Sequence, residues 1–307
     1  MSRRAKADLA LVLITLFWGA TFTVVKGALN HASVFAFMVA RFALAALLMA
    51  VIYRKALRRL SRAEIFAGAQ IGFLMFAGYA LQTFGLVQTT PSKAAFITGS
   101  SVVMVPVLLA LFWKRRIGIG VWAGALAALA GLYYLSVPRE GFSRLNPGDP
   151  LVLVCALMFA LHIILVGRYS GEHSVGGLSF LQVATTAVLA IVALPVAGAA
   201  KLESLRFDAS GELITAVLIT AVLATAVAFS VQVWAQQYTT PTHTAIIFSL
   251  EPVFAALTSY ILAGERLAGR ALFGAVLILL GIVLAELKGP TQAAAESPGP
   301  VSEAPEA

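Results

Sequence analysis

The chain has 307 residues, of which 60% are apolar and only 12% are charged, and its mean hydropathy is +0.91. An average soluble protein has about 25% charged residues, so this composition predicts a lipid-facing exterior and excludes a soluble enzyme. The formal net charge is +8, which also fits a nucleic-acid-binding protein. The basic residues, however, form short clusters between apolar segments, as membrane topology signals do, so we expect no nucleic-acid partner.

Apolar segments of about 20 residues follow one another along the chain, which indicates membrane-spanning helices rather than the strands of a barrel. We predict an all-α integral membrane protein with ten transmembrane helices, at about 9–29, 33–53, 64–87, 94–113, 117–136, 150–167, 176–199, 213–237, 242–263 and 269–287. The first segment has spanning length and no small-residue cleavage site follows it, so we expect an uncleaved helix. The tail 289–307 is rich in Pro, Ala and Glu and is predicted to be disordered.

The distribution of basic residues predicts the orientation of the first half of the chain. If the amino terminus is cytoplasmic, the cytoplasmic regions of this half hold Arg3, Arg4, Lys6, Arg54, Lys55, Arg58, Arg59, Arg62, Lys114, Arg115 and Arg116, against Lys93, Arg139 and Arg144 outside. The positive-inside rule then places both termini in the cytoplasm. The bias nearly vanishes in the second half, with Arg168 and Lys288 inside and Lys201, Arg206, Arg266 and Arg270 outside.

The second half of the sequence repeats the first. A shift of about 150 residues places Thr89-Thr90-Pro91 on Thr239-Thr240-Pro241, and near the start of each half a shift of about 141 places Asp8 on Asp149. We therefore predict two repeats, 8–136 and 149–287. Because each repeat holds five helices, an odd number, the two copies cross the membrane in opposite senses. Inverted repeats of this kind are typical of secondary transporters, whose substrate site lies between the halves.

Several segments resemble one known family. WGATF from Trp18, ARFALAALL from Ala40, SKAAFITG from Ser92 and LEPVFAALTSYILAGERL from Leu250 are similar to EamA-type proteins of the drug/metabolite transporter superfamily. The likeness extends from about Asp8 to Leu287. It implies a ten-helix carrier of a bacterial cytoplasmic membrane that exports small metabolites, such as amino acids, by alternating access. It also implies a central cavity, with the fifth and tenth helices to the side.

Two charged residues inside predicted helices are candidates for charge or proton coupling. Glu251 lies near the middle of the ninth helix, where a carboxylate costs about 2.5–3.5 kcal/mol unless it is paired, protonated or facing water. Arg41 lies about 12 Å along the second helix. It can pair with Glu251, hold a substrate carboxylate, or serve packing alone. A structural carboxylate bonded to a neighbouring helix is the alternative for Glu251.

Aromatic and amide side chains at repeated positions are candidates for a substrate cavity. An aromatic residue stands about one turn before a glutamine in both the third and the eighth helix, which suits an amphipathic solute. Interhelical hydrogen bonding is the alternative explanation. The candidates in these two helices are Tyr79, Gln82, Phe229, Gln232 and Gln236.

Further candidates come from aligning the other helices of the two repeats. Trp18 and Thr21 align with Phe159 and His162, and Thr98 and Ser101 align with Phe248 and Glu251. His162 is a candidate proton relay, although a membrane histidine is more often a hydrogen-bonding packing residue.

The remaining features have structural explanations. The single cysteine, Cys155, is expected to be a buried thiol without a disulfide or a metal role. Spaced glycines in the fifth and tenth helices predict close helix packing, which includes a homodimer contact as one reading. His243 falls in a predicted loop and carries little information, and Glu265 and Arg266 are expected to form a solvated ion pair.

Other classes of membrane protein lack support in the sequence. We find no H-E-x-x-H, no G-x-S-x-G and no paired intramembrane aspartates, so we predict no catalytic residue, no metal site and no cofactor. A channel usually has polar rings or filter loops, which are not visible here. A lipid flippase with the same architecture stays open. Glu251 together with Arg41 suits a zwitterion, so an amino acid is the predicted substrate.

Overall fold

The computed structural model describes residues 1–89, 91–137, 141, 146–263 and 269–287. Within these ranges the chain is helical and has no β-strand beyond an isolated bridge between Ala32 and Phe207. The helices are α1 (Arg3–Ala28), α2 (Val34–Ile52), α3 (Arg54–Leu57), α4 (Arg62–Gln88), α5 (Pro91–Gly99), α6 (Ser101–Phe112), α7 (Ile119–Ser136), α8 (Asp149–Tyr169), α9 (Val175–Ala199), α10 (Gly211–Ala221), a π-helical segment (Val222–Val227), α11 (Ala228–Ala235), α12 (Pro241–Phe248), α13 (Glu251–Ala263) and α14 (Gly269–Leu287).

Several helices begin where the sequence supplies a capping hydroxyl. Ser61 accepts a hydrogen bond from the backbone N–H of Glu64, and Ser174 does the same for Gly177. Thr240 caps α12, and Pro241 follows it at the first helical position, where its missing N–H costs nothing. The repeated Thr-Thr-Pro motif therefore acts as a helix start.

Within the described ranges, eight helical stretches are long and apolar enough to cross a membrane, and they correspond to the first eight predicted spans. The other two predicted spans, 242–263 and 269–287, fall outside that set. The first of them is divided into two short helices, and Gly269–Ala285 is a shorter apolar helix. The predicted loop residues Arg139, Arg144, Glu265 and Arg266 and the tail 289–307 lie outside the described residues.

Two predicted continuous helices are in fact interrupted at equivalent positions. The break between α5 and α6 falls at Ser100, and the break between α12 and α13 falls at Ser249 and Leu250. At both breaks a serine hydroxyl donates to the carbonyl oxygen three residues earlier, at 2.5 Å, which competes with the helical hydrogen bond. Each stretch was predicted from sequence as one continuous helix, and the hydrogen bonds of the serine hydroxyls explain the difference.

The outer surface of the bundle carries large exposed apolar side chains. Leu47 of α2, Phe66 of α4 and Leu111 of α6 are each about two-thirds exposed. Such a surface is unfavourable in water and favourable in lipid. Together with the apolar helices, it makes this a multi-pass membrane protein.

The helices α7 and α14 pack closely through facing glycines. A Cβ atom at Gly124 would lie 2.5 Å from the carbonyl oxygen of Gly281, and one at Gly131 would lie 2.6 Å from that of Gly274. Only glycine permits this approach of two backbones. These glycines therefore serve close helix packing inside one chain, as predicted, and the homodimer contact stays a prediction.

Candidate functional site

A cavity of about 1120 Å³, a figure that includes open solvent, lies among α1, α2, α4, α8, α11 and the two interrupted helices. Every predicted site residue except Gln236 lines it, namely Trp18, Thr21, Arg41, Tyr79, Gln82, Thr98, Ser101, Phe159, His162, Phe229, Gln232, Phe248 and Glu251. The structure thus brings together side chains from both halves of the sequence.

Aromatic rings form a continuous chain along the cavity. The ring centroid of Trp18 lies 4.9 Å from that of Phe248 and 5.5 Å from that of Phe229. Tyr79 lies 6.2 Å from Phe229 and 5.3 Å from Phe159. Most of these pairs meet edge to face, the arrangement that the ring quadrupoles favour. The wall formed by these rings is therefore aromatic and largely apolar.

The π-helical segment between α10 and α11 holds Arg41. The Nε of Arg41 donates to the hydroxyl of Thr225 at 2.8 Å, and its Nη2 donates to the carbonyl oxygen of Ala224 at 3.2 Å and to the Tyr79 hydroxyl at 3.4 Å. Trp18 Nε1 donates to the same Ala224 carbonyl at 2.9 Å. A π-helical turn frees carbonyl groups from the regular ladder, and here the freed carbonyl anchors two cavity side chains. The predicted ion pair between Arg41 and Glu251 is not formed, because Arg41 is bonded to neutral oxygens instead.

Glu251 is the first residue of α13, directly after the break, and Pro252 beside it also lines the cavity. A carboxylate at a helix amino terminus is favoured by the helix dipole. No ion pair or hydrogen bond joins the Glu251 carboxylate to any other part of the chain that the structure describes. The carboxylate therefore lines the cavity without a counter-ion among the described residues, which differs from the structural alternative of a bond to a neighbouring helix.

The two predicted glutamine positions differ in their surroundings. Gln82 Nε2 lies 3.4 Å from the Thr98 hydroxyl, and both side chains line the cavity. Gln232 Nε2 donates to Gln236 Oε1 at 3.0 Å, and Gln236 Nε2 donates to the carbonyl oxygen of Ile163 at 2.9 Å. Gln236 is thus held against α8 behind the cavity wall, which corrects its assignment as a lining residue.

His162 also has a partner inside the bundle. Its Nε2 lies 2.9 Å from Oε1 of Gln182, a fully buried residue of α9. His162 packs against Phe229, with 5.8 Å between ring centroids, while one side of it lines the cavity. The ring is therefore positioned by a hydrogen bond, as a packing histidine would be, and is also open to the cavity.

Comparison with known proteins identifies the family. The sequence model of the EamA-like transporter family matches residues 5–137 and again residues 146–287. An uncharacterized transporter of Archaeoglobus fulgidus is 38% identical over 286 residues, which cover 93% of this chain and 87% of that protein. The chain belongs to the EamA-like transporter family. A second uncharacterized transporter of the same archaeon is 24% identical over 281 residues, covering 91% of this chain and 98% of that one. A solved crystal structure with 17% identity and a TM-score of 0.75, covering 92% and 98% of the two chains, has the same fold.

This EamA-like transporter holds a buried ion pair between its two halves, which we call the Asp149 cluster. Lys93 Nζ lies 2.6 Å from Oδ2 of Asp149, and both side chains are about 5% exposed. The Thr89 hydroxyl donates to Asp149 Oδ1 at 2.6 Å, and the Asn146 backbone N–H donates to Oδ2 at 2.8 Å. The start of α8 is thereby tied to the end of α4 and to α5. Lys93 was predicted only as a loop charge.

A related group, which we call the Asp8 cluster, joins α1 to α12. His243 Nε2 lies 3.5 Å from Oδ1 of Asp8, and Arg4 Nε lies 3.9 Å from Oδ2. The hydroxyl of Thr239, which stands at the position of Thr89 in the second half, has no hydrogen-bond partner among the described residues. His243 is buried within α12, which corrects its placement in an uninformative loop.

Four residues of the site and its clusters were not predicted as functional from the sequence: Ala224, Thr225, Lys93 and His243. Nothing in the local sequence marks the π-helical segment, because it is an apolar run like its neighbours. The two clusters could have been found from the repeat, since the shift that aligns the Thr-Thr-Pro motifs also places Lys93 on His243, and the shift near each start places Asp8 on Asp149.

Proposed function

We propose that this EamA-like transporter is a secondary carrier that moves small metabolites by alternating access through the central cavity. The observation that carries the proposal is the pair of helix breaks, at Ser100 and at Ser249–Leu250, on either side of a cavity lined by both halves. Discontinuous helices at equivalent positions of two repeats form the substrate sites of many secondary transporters. We place the substrate among the lining side chains predicted from sequence.

The proposal includes ten membrane crossings in two inverted repeats. Equivalent residues make reciprocal contacts that support such a pseudo-two-fold relation. Gly124 faces Gly281, and Gly131 faces Gly274. The shift of about 150 residues places Gly124 on Gly274 and Gly131 on Gly281, so each contact is the symmetry equivalent of the other. The two charged clusters support the relation in the same way, because Lys93 with Asp149 and His243 with Asp8 are equivalent pairs.

The different states of two equivalent sites support the proposal of alternating access. The cavity reaches Leu86, whereas the residue at the equivalent position, Gln236, is packed behind the wall. In the opposite conformation we expect these two residues to exchange environments. The Asp149 cluster would then loosen and the Asp8 cluster would tighten, with Thr239 gaining the bond that Thr89 makes now.

The remaining assignments rest on charge distribution and on the family. We place the protein in a bacterial cytoplasmic membrane with both termini in the cytoplasm, because the basic residues of the first half favour that orientation. Export is the direction proposed. Glu251 is the candidate for charge or proton coupling, since it lines the cavity and no cation in the part of the chain that the structure describes pairs with it. We assign no catalytic residue.

Counterflow in proteoliposomes tests the proposed function. The purified full chain is reconstituted, the vesicles are preloaded with members of a panel of amines, amino acids and organic acids, and entry of the same labelled solute is followed. A carrier gives saturable uptake that a preloaded solute accelerates. Uptake that rises linearly with concentration and ignores preloading would indicate a channel and would overturn the proposal.

A further inference from the structure

Arg41 and Glu251 are the charged side chains that line the cavity among the described residues, and their surroundings differ. Arg41 is only 5% exposed, and its Nε and Nη2 donate to the Thr225 hydroxyl, the Ala224 carbonyl and the Tyr79 hydroxyl. Its guanidinium carbon also lies 4.7 Å from the ring centroid of Tyr79. A carboxylate ligand needs a free pair of parallel N–H groups for bidentate binding. Because Nε and Nη2 are committed to protein oxygens, Arg41 acts as a positioning residue for Tyr79 and the π-helical segment.

Glu251 differs from Arg41 in its hydrogen-bonding surroundings. Its carboxylate lines the cavity, and neither a cation nor a hydrogen-bond donor of the described chain contacts it. An ionised carboxylate inside a membrane protein is costly unless a cation or water compensates it. A positively charged ligand would supply this compensation, whereas a negatively charged ligand would add repulsion.

The aromatic wall of the cavity also favours a positively charged ligand. Glu251 stands three residues after Phe248, whose ring packs against Trp18 and thereby joins the aromatic chain that leads through Phe229 to Tyr79. Aromatic faces attract organic cations through their quadrupole and also bind apolar groups. A wall of this kind suits a cationic amphipathic solute.

We infer that the cavity selects organic cations, namely protonated or quaternary amines that carry an apolar group, and that Glu251 determines this charge preference. The inference rests on the proposed carrier function and narrows it, replacing the amino acid expected from sequence. We expect a free carboxylate on the ligand to weaken binding, because Glu251 repels it and because Nε and Nη2 of Arg41 already donate to protein oxygens.

Three aromatic probes of similar shape test the inference: phenylethylammonium, phenylalanine and 3-phenylpropanoate. Binding to the full chain in detergent is measured by the shift of its thermal unfolding midpoint and by direct titration. We expect phenylethylammonium to bind at least about tenfold more tightly than phenylalanine, and 3-phenylpropanoate to give no shift. Tighter binding of the zwitterion or of the anion by the unmodified protein would overturn the inference.

Variants locate the charge preference. Glu251→Gln is expected to weaken phenylethylammonium binding at least about tenfold. If that variant does not fold, Glu251→Asp is tested instead, and we expect it to keep the preference for cations. Glu172→Gln removes an exposed carboxylate between α8 and α9 and serves as the matched control. Arg41→Gln is expected to preserve the order of the three probes; loss of zwitterion binding on that change would assign Arg41 a direct contact and contradict the inference.

The counterflow assay separates this inference from the proposed function. Saturable counterflow of 3-phenylpropanoate or phenylalanine without counterflow of phenylethylammonium would leave the carrier standing and overturn the charge preference. Counterflow of phenylethylammonium that depends on Glu251 supports both. Non-saturable leak of all three probes would overturn the carrier itself.

Discussion

The Asp149 and Asp8 clusters occupy equivalent positions of the two halves but have different geometry. In the first, Lys93 lies 2.6 Å from Asp149 and Thr89 completes the carboxylate's bonds. In the second, His243 lies 3.5 Å from Asp8, and Thr239 makes no hydrogen bond with the described residues. Repeats of related sequence thus hold one complete and one incomplete version of the same contact. The difference indicates that complete bonding at the Asp149 cluster stabilises the observed conformation.

The largest expected effect comes from breaking the complete cluster. Lys93→Ala would leave the buried Asp149 carboxylate without its cation, which we expect to cost about 3–5 kcal/mol of unfolding free energy. Unfolding in mixed detergent and SDS micelles measures this cost. Lys93→Arg, which keeps a cation, is the matched control and should lose less. A loss below about 1 kcal/mol for Lys93→Ala would mean that the pair does not stabilise this state.

A smaller effect is expected at the incomplete cluster. Asp8→Asn removes a carboxylate whose ion pairs are 3.5 and 3.9 Å long and whose side chain is 20% exposed. Such pairs contribute about 0–1 kcal/mol, so the same unfolding assay should show a loss in that range. If Asp8→Asn costs as much as Lys93→Ala, the two clusters are energetically equal and the contrast between them is wrong.

The smallest effect concerns a surface contact near the start of α2. His31 accepts or donates hydrogen bonds with Asp208 and Glu212, each at 3.2 Å. The bond to Asp208 is the main reason that the pKa of His31 is raised above 6.5, although partial desolvation opposes it. A raised pKa means that the contact stabilises the fold below about pH 6.5 and that this contribution is lost as pH rises through the folded-state pKa. His31→Gln should abolish this slight pH dependence of the unfolding midpoint; an unchanged dependence would exclude His31 as its origin.

The sequence predicted features that recur in both repeats, and it did not predict local irregularities of the helices that depend on tertiary contacts. The positions of Gln82 and Glu251 in the cavity were predictable because apolar periodicity and the two-repeat alignment place them on inner faces. The interruption at Ser249 and the π-helical segment at Ala224 were not predictable, because a hydroxyl or a carbonyl leaves the helical ladder only when tertiary partners compete for it. The pairing of Arg41 with Thr225 depends on that same segment.

Paired accessibility measurements test alternating access most directly. A single cysteine replaces Leu86 in one variant and its equivalent, Gln236, in another. The rate at which each cysteine reacts with a thiol reagent is compared between the otherwise unmodified protein and the same variant carrying Asp149→Asn. The native Cys155 is fully buried and is left in place. Because Asp149→Asn weakens the cluster that stabilises the observed conformation, we predict slower labelling at position 86 and faster labelling at position 236. Labelling that rises at both positions, or at neither, would contradict reciprocal exchange between the two halves.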